Sequence, residues 1–107
     1  MNFIKDLDGI REDHSALFSP AAAADPQFSS RCRFLVARLR SLASDIQEHA
    51  AGGSGPRRKD WHAISRKLLA IADEVDYIGR NGPGTVMMLG LREYGDIKAM
   101  IQDMGEV

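Results

Sequence analysis

Two histidines, two carboxylates and a glycine-rich break are the residues of this chain whose types come closest to a chemical site. His49 follows Glu48 shortly before Ala51-Gly52-Gly53-Ser54-Gly55-Pro56, and His62 lies two residues after Asp60 on the far side. Imidazole nitrogens and carboxylate oxygens are zinc ligands that arrange tetrahedrally, so a chain reversal at the break can bring the four groups to one surface. No Cys or His spacing motif accompanies them, and polar residues beside a loop serve solvation equally well. His49 and His62 are therefore weak metal candidates, and the expectation is a chain with no metal and no cofactor. His14 falls on an apolar line and reads as a hydrogen-bonded core or boundary histidine.

Other chemistries find less support. Asp6-Leu7-Asp8-Gly9 matches the middle of a calcium loop, but aligning Gly9 with the turn glycine puts Ile4 at the first ligand position and Ser15 at the bidentate one. Gly53-Ser54-Gly55 and Gly82-Pro83-Gly84-Thr85 follow no predicted strand and carry no Gly-Lys-Ser/Thr, which removes phosphate cradling. Ser, His and Asp occur without a nucleophile elbow. Asp73-Glu74-Val75-Asp76 resembles a protease recognition string, yet it sits within a predicted helix, where cleavage requires unfolding. No catalytic residue is assigned, and the expectation is a protein that is not an enzyme.

Basic residues form two groups: Arg31, Arg33, Arg38 and Arg40, then Arg57, Arg58, Lys59, Arg66 and Lys67. A phosphate-tracking surface needs contiguous cations. On antiparallel helices these two groups start at opposite ends, so they form no obvious strip. Overall charge gives no pull toward nucleic acid or anionic lipid: 14 basic and 15 acidic side chains among 107 residues leave a formal −1. The single cysteine, Cys32, has no internal partner for a disulfide and lies on an apolar line, which points to a buried thiol in a reducing compartment. Acidic residues in Met1-Asn2-Phe3-Ile4-Lys5-Asp6-Leu7-Asp8 interrupt the apolar stretch that a secretory signal needs. Ala21 to Ala24 and Val86 to Leu91 fall far short of the ~20 apolar residues of a membrane span. A cytoplasmic protein with no membrane partner is expected.

The elements that would position these groups are legible from periodicity. Phe28, Cys32, Leu35, Leu39, Leu42 and Ile46 recur at spacings of 4, 3, 4, 3 and 4, and Trp61, Ile64, Leu68, Ile71, Val75 and Ile78 at 3, 4, 3, 4 and 3. Each set is one stripe of a helix, and two striped helices either side of a flexible break bury their stripes by folding into an antiparallel hairpin. Asp25-Pro26 supplies a cap and a first-turn proline for the first of them, and Arg80-Asn81-Gly82-Pro83 stops the second. Val36 and Ala43, with Ser65, Ala72 and Gly79, form small-residue shoulders where further helices can dock. Phe3, Leu7, Ile10, His14 and Leu17 predict an N-terminal helix, weakened by Gly9 and stopped at Ser19-Pro20. Thr85 can cap a C-terminal helix carrying Met87, Leu91, Tyr94, Ile97, Ile101 and Met104, with a kink or a division into two short helices at Gly95-Asp96.

The fold class read from this pattern is all-α, with no strands. An antiparallel hairpin of about 26–50 and 57–80 is extended to a four-helix bundle by an N-terminal and a kinked C-terminal helix, in one domain with a flexible linker, natural or introduced, at 51–56. Apolar residues off the stripes carry the functional expectation. Phe34, Leu69 and Tyr77, with Met87, Met88, Met100 and Met104, suit an adaptable binding surface. A small adaptor, chaperone or regulatory module follows, one that self-associates as a homo-oligomer or docks a partner protein through those residues. The alternative is a nucleic-acid-binding regulator using Arg31, Arg33, Arg38, Arg40, Arg57 and Arg58.

Overall fold

A computed structural model describes residues 3–17, 24–52, 58–81 and 89–103. Four helices occupy them: α1 (Phe3–Ala16), α2 (Phe28–Gly52), α3 (Arg58–Asn81) and α4 (Leu89–Asp103). Among the described residues there is no strand. Helices α2 and α3 pack along their length as an antiparallel hairpin. α1 lies against α2 and α4, and α4 against α3 and α1, which closes a four-helix ring measuring 47 × 20 × 19 Å.

Local chemistry sets the helix ends. Asp25 caps α2, its Oδ1 accepting the Gln27 amide at 2.8 Å while its carbonyl accepts the Phe28 amide at 3.0 Å. Pro26 between them has no amide to satisfy. At the same open end of the hairpin, where α3 finishes, the Asn81 side chain donates to the Tyr77 carbonyl at 2.9 Å, meeting one of the acceptors that a helix terminus leaves open. α2 runs through Ala51 to Gly52, two residues into the stretch 51–56 that its composition marked as linker. α4 is continuous through Gly95 and does not divide at Gly95-Asp96. Glycine in a helix costs about 1 kcal/mol, which burial of Tyr94, Ile97 and Ile101 on one stripe outweighs at ~1.5–3 kcal/mol per large side chain. The expected roles of Ser19-Pro20, Gly53-Ser54-Gly55, Gly82-Pro83 and Thr85 fall outside the described residues.

Every member of both hairpin ladders is buried, as are Phe3, Leu7, Ile10, His14 and Leu17 of the N-terminal line. Ser65 lies in the same interior without an orphaned group: its hydroxyl donates to the Ala43 carbonyl at 3.2 Å and accepts from Gln47 Nε2 at 2.8 Å, tying α3 to α2. Among the described residues an ion pair crosses each adjacent helix boundary. Arg38 meets Asp13 between α2 and α1, and Arg40 meets Asp73 at 3.9 Å between α2 and α3. Lys67 reaches Glu93 at 3.1 Å between α3 and α4, and Lys98 reaches Asp8 at 3.3 Å between α4 and α1. Exposed pairs of this kind contribute about 0–1 kcal/mol each, so burial supplies the stability and the pairs favour one arrangement of neighbours.

α3 passes close to α2 at Cys32. A Cβ built on Gly79 would lie 2.8 Å from the Cys32 Cβ, whereas one built on Gly95 meets nothing within 4 Å. The same substitution should therefore have opposite signs at the two sites. Gly95→Ala gains helix propensity and should stabilise by about 0.5–1 kcal/mol. Gly79→Ala gains the same propensity but forces two Cβ atoms apart, and overpacking at about 1–3 kcal/mol should leave it net destabilising. Urea midpoints of the two variants check this; a stabilised Gly79→Ala would contradict the close crossing.

Candidate functional site

The two exposed large apolar side chains among the described residues are Phe34, 67% exposed, and Tyr77, 51% exposed. Each stands one residue from a buried ladder member, Leu35 and Ile78, and a step of about 100° along a helix turns a side chain off the buried stripe. Phe34 lines a cleft of about 400 Å³ between α1 and the start of α2, with Ala16, Leu17 and Leu35 as its apolar part and Asp13 and Arg31 at its polar part. Leu69 and Met100 are half-buried and pack against the core, which separates them from the exposed pair. Met87, Met88 and Met104 lie outside the described residues. Of the seven residues that the sequence groups into one apolar surface, the structure thus shows two exposed and two packed on the core.

The arginines of the first basic group mostly face carboxylates of their own chain. Arg31 pairs with Asp25 at 3.1 Å, Arg38 with Asp13 and Arg40 with Asp73, while Arg33 donates to the Ser30 hydroxyl at 3.3 Å. Their partners also divide them, since Arg38 is turned to α1 and Arg40 to α3. Arg58 is the first residue of α3, and Arg57 lies outside the described residues. A cation already held by an aspartate releases less free energy on meeting a phosphate, so this arrangement lends no support to a phosphate-tracking strip.

His49 packs edge-on against the Trp61 ring at 4.9 Å and the Phe3 ring at 5.5 Å, with Phe3 and Trp61 5.6 Å apart. The three rings join α1, α2 and α3 near the reversal, in the edge-to-face geometry that aromatic quadrupoles prefer. His62, the fifth residue of α3, is half-buried. Among the described residues no three His, Cys, Asp or Glu side chains gather where they could hold a metal.

The polar groups sealed inside the bundle are of a different kind. His14 of α1 and Tyr94 of α4, both fully buried, share a hydrogen bond of 2.8 Å between Nδ1 and Oη, with the rings edge-on at 5.4 Å. Burial lowers the His14 pKa to about 4, because a charged imidazolium cannot be solvated there. Burial also raises the Tyr94 pKa, helped by the nearby Glu74 carboxylate and opposed by Arg38. The same cause raises the thiol of Cys32. Glu74 on α3 is only 8% exposed, and its Oε1 has no hydrogen-bond partner among the described residues. It lines a cleft of about 190 Å³ with Lys67, Ala70, Ile71 and Glu93.

The sequence places His14 in the core but does not supply its partner, 80 residues away. Glu74 goes unnoticed because it sits in an acidic string, although its spacing of 3 from Ile71 and 4 from Ile78 puts it on the buried stripe. No described helix is long and apolar enough to cross a membrane. Comparison with protein-family models, with curated proteins and with solved structures finds no match to this chain.

Proposed function

We propose that this chain is a non-catalytic helical interaction module that self-associates, a second copy docking on the cleft between α1 and α2. The observation that carries this reading is Phe34, a large aromatic 67% exposed on a helix that otherwise sorts apolar from polar, beside an apolar-floored cleft of about 400 Å³. Aromatic anchors beside a pocket are the features that dominate association energies. A net charge of −1 offers little repulsion between copies. A single thiol buried at Cys32 is consistent with a reducing, cytoplasmic setting.

Phe34→Ser tests the reading. The variant should elute later than the wild-type protein at equal concentration while its helical circular dichroism stays unchanged. Loss of helicity would make Phe34 part of the core, and unchanged elution with unchanged helicity would remove it from any interface.

A further inference from the structure

The cleft between α3 and α4 points to a small-molecule site distinct from the Phe34 surface. Its floor and wall are Ala70 and Ile71, Glu74 lines it from the buried side, and Lys67 and Glu93 form the ion pair of 3.1 Å that borders it. Lys67 and Glu93 neutralise each other, so the described lining carries one uncompensated carboxylate, Glu74. That residue is more than nine-tenths buried, and its Oε1 has no hydrogen-bond partner among the described residues. A buried carboxylate oxygen left without a donor is costly. Rotation about the last side-chain bond exchanges its two oxygens, so either can be presented to the cleft.

We propose that this cleft binds a primary ammonium carried on a short alkyl stem, the ammonium donating to Glu74 and the stem lying on Ala70 and Ile71. Charge selects a monocation, because only one carboxylate of the described lining lacks compensation. Shape selects an alkyl body, because two of the five lining residues are apolar and offer no ligands to a metal ion. Size fits as well: about 190 Å³ corresponds to roughly six waters at ~30 Å³ each, enough for a charged head and a few carbons. An alkylammonium occurs both as a free amine and as the lysine side chain of another protein, and the test separates the two.

Binding is read on the full chain by calorimetry and thermal unfolding, at matched ionic strength, with n-butylammonium chloride, capped lysine, 1-butanol and sodium butyrate as probes. Saturable binding is expected for n-butylammonium and neither for the alcohol nor for the carboxylate. Glu74→Gln should weaken it by about ten- to a hundredfold, the size of one charge-assisted hydrogen bond. Ala70→Leu, at an exposed position that leaves Glu74 in place, should abolish binding by filling the cleft. Capped lysine binding alongside n-butylammonium assigns the site to a protein side chain, and n-butylammonium alone to a free amine; either result supports the site. No saturable binding of n-butylammonium, equal binding of 1-butanol, or undiminished binding to a folded Glu74→Gln would overturn it. None of these outcomes depends on whether the chain self-associates.

Discussion

Leu68→Ala should destabilise the protein by about 3–5 kcal/mol, while Leu69→Ala, one residue along the same helix, should cost about 1 kcal/mol or less. Leu68 is fully buried in the seam between α2 and α3, whereas Leu69 is half-buried and only leans on the core. Truncating a sealed leucine loses its transfer free energy and leaves a cavity that the surrounding helices fill only in part; truncating a half-exposed one leaves no closed cavity. Against a total stability of about 5–15 kcal/mol, the first loss is large enough to unfold a substantial fraction of molecules near 37 °C. Leu39→Ala on the facing helix should match it, since Leu39 is equally buried. Urea titrations followed by circular dichroism measure all three. Equal losses at Leu68 and Leu69 would mean that α3 presents a different face to α2.

Acidification should weaken the fold through His14 well before most carboxylates are protonated. Burial holds the folded-state pKa at about 4 against an ordinary value of 6.5, so the unfolded chain binds the proton first. Between pH 6.5 and pH 4 the unfolded state carries more protons than the folded state, and stability falls as pH falls through that window. Above pH 6.5 both states are neutral at this position and the contribution is complete; below about pH 4 both are protonated and no more is lost. A tenfold change in proton affinity is worth about 1.36 kcal/mol, so the full loss across the window is about 3 kcal/mol. His14→Gln keeps a hydrogen-bonding side chain opposite Tyr94 but does not titrate. The difference in unfolding free energy between pH 7 and pH 4 should therefore be about 3 kcal/mol larger for the wild-type protein than for His14→Gln, and equal differences would place His14 in contact with solvent.

The helices were legible in the chain because a 3.6-residue period is a local property. All twelve hairpin ladder residues are buried, and the Asp25 cap follows from the chemistry of one side chain and one amide. What joins α1 to α4 was not legible to the same degree. Tyr94 is the partner of His14 only once four helices have closed a ring, and no spacing rule reaches across 80 residues. Leu69 and Met100 show the limit of reading exposure from one stripe, since long flexible side chains off the stripe lean back onto the core. Phe34 is the opposite case, off the stripe and exposed. Glu74 marks a third limit: it was passed over within an acidic string, although its spacing puts it on the stripe that the folded chain buries.

The proposal that two copies meet through Phe34 and the cleft beside it has one direct test. Light scattering on wild-type protein eluting from a sizing column, over a hundredfold range of loading, reads this directly. Self-association predicts a mass that climbs with loading from the 11.8 kDa of one chain toward twice that value. A mass fixed at 11.8 kDa across the whole range would contradict it.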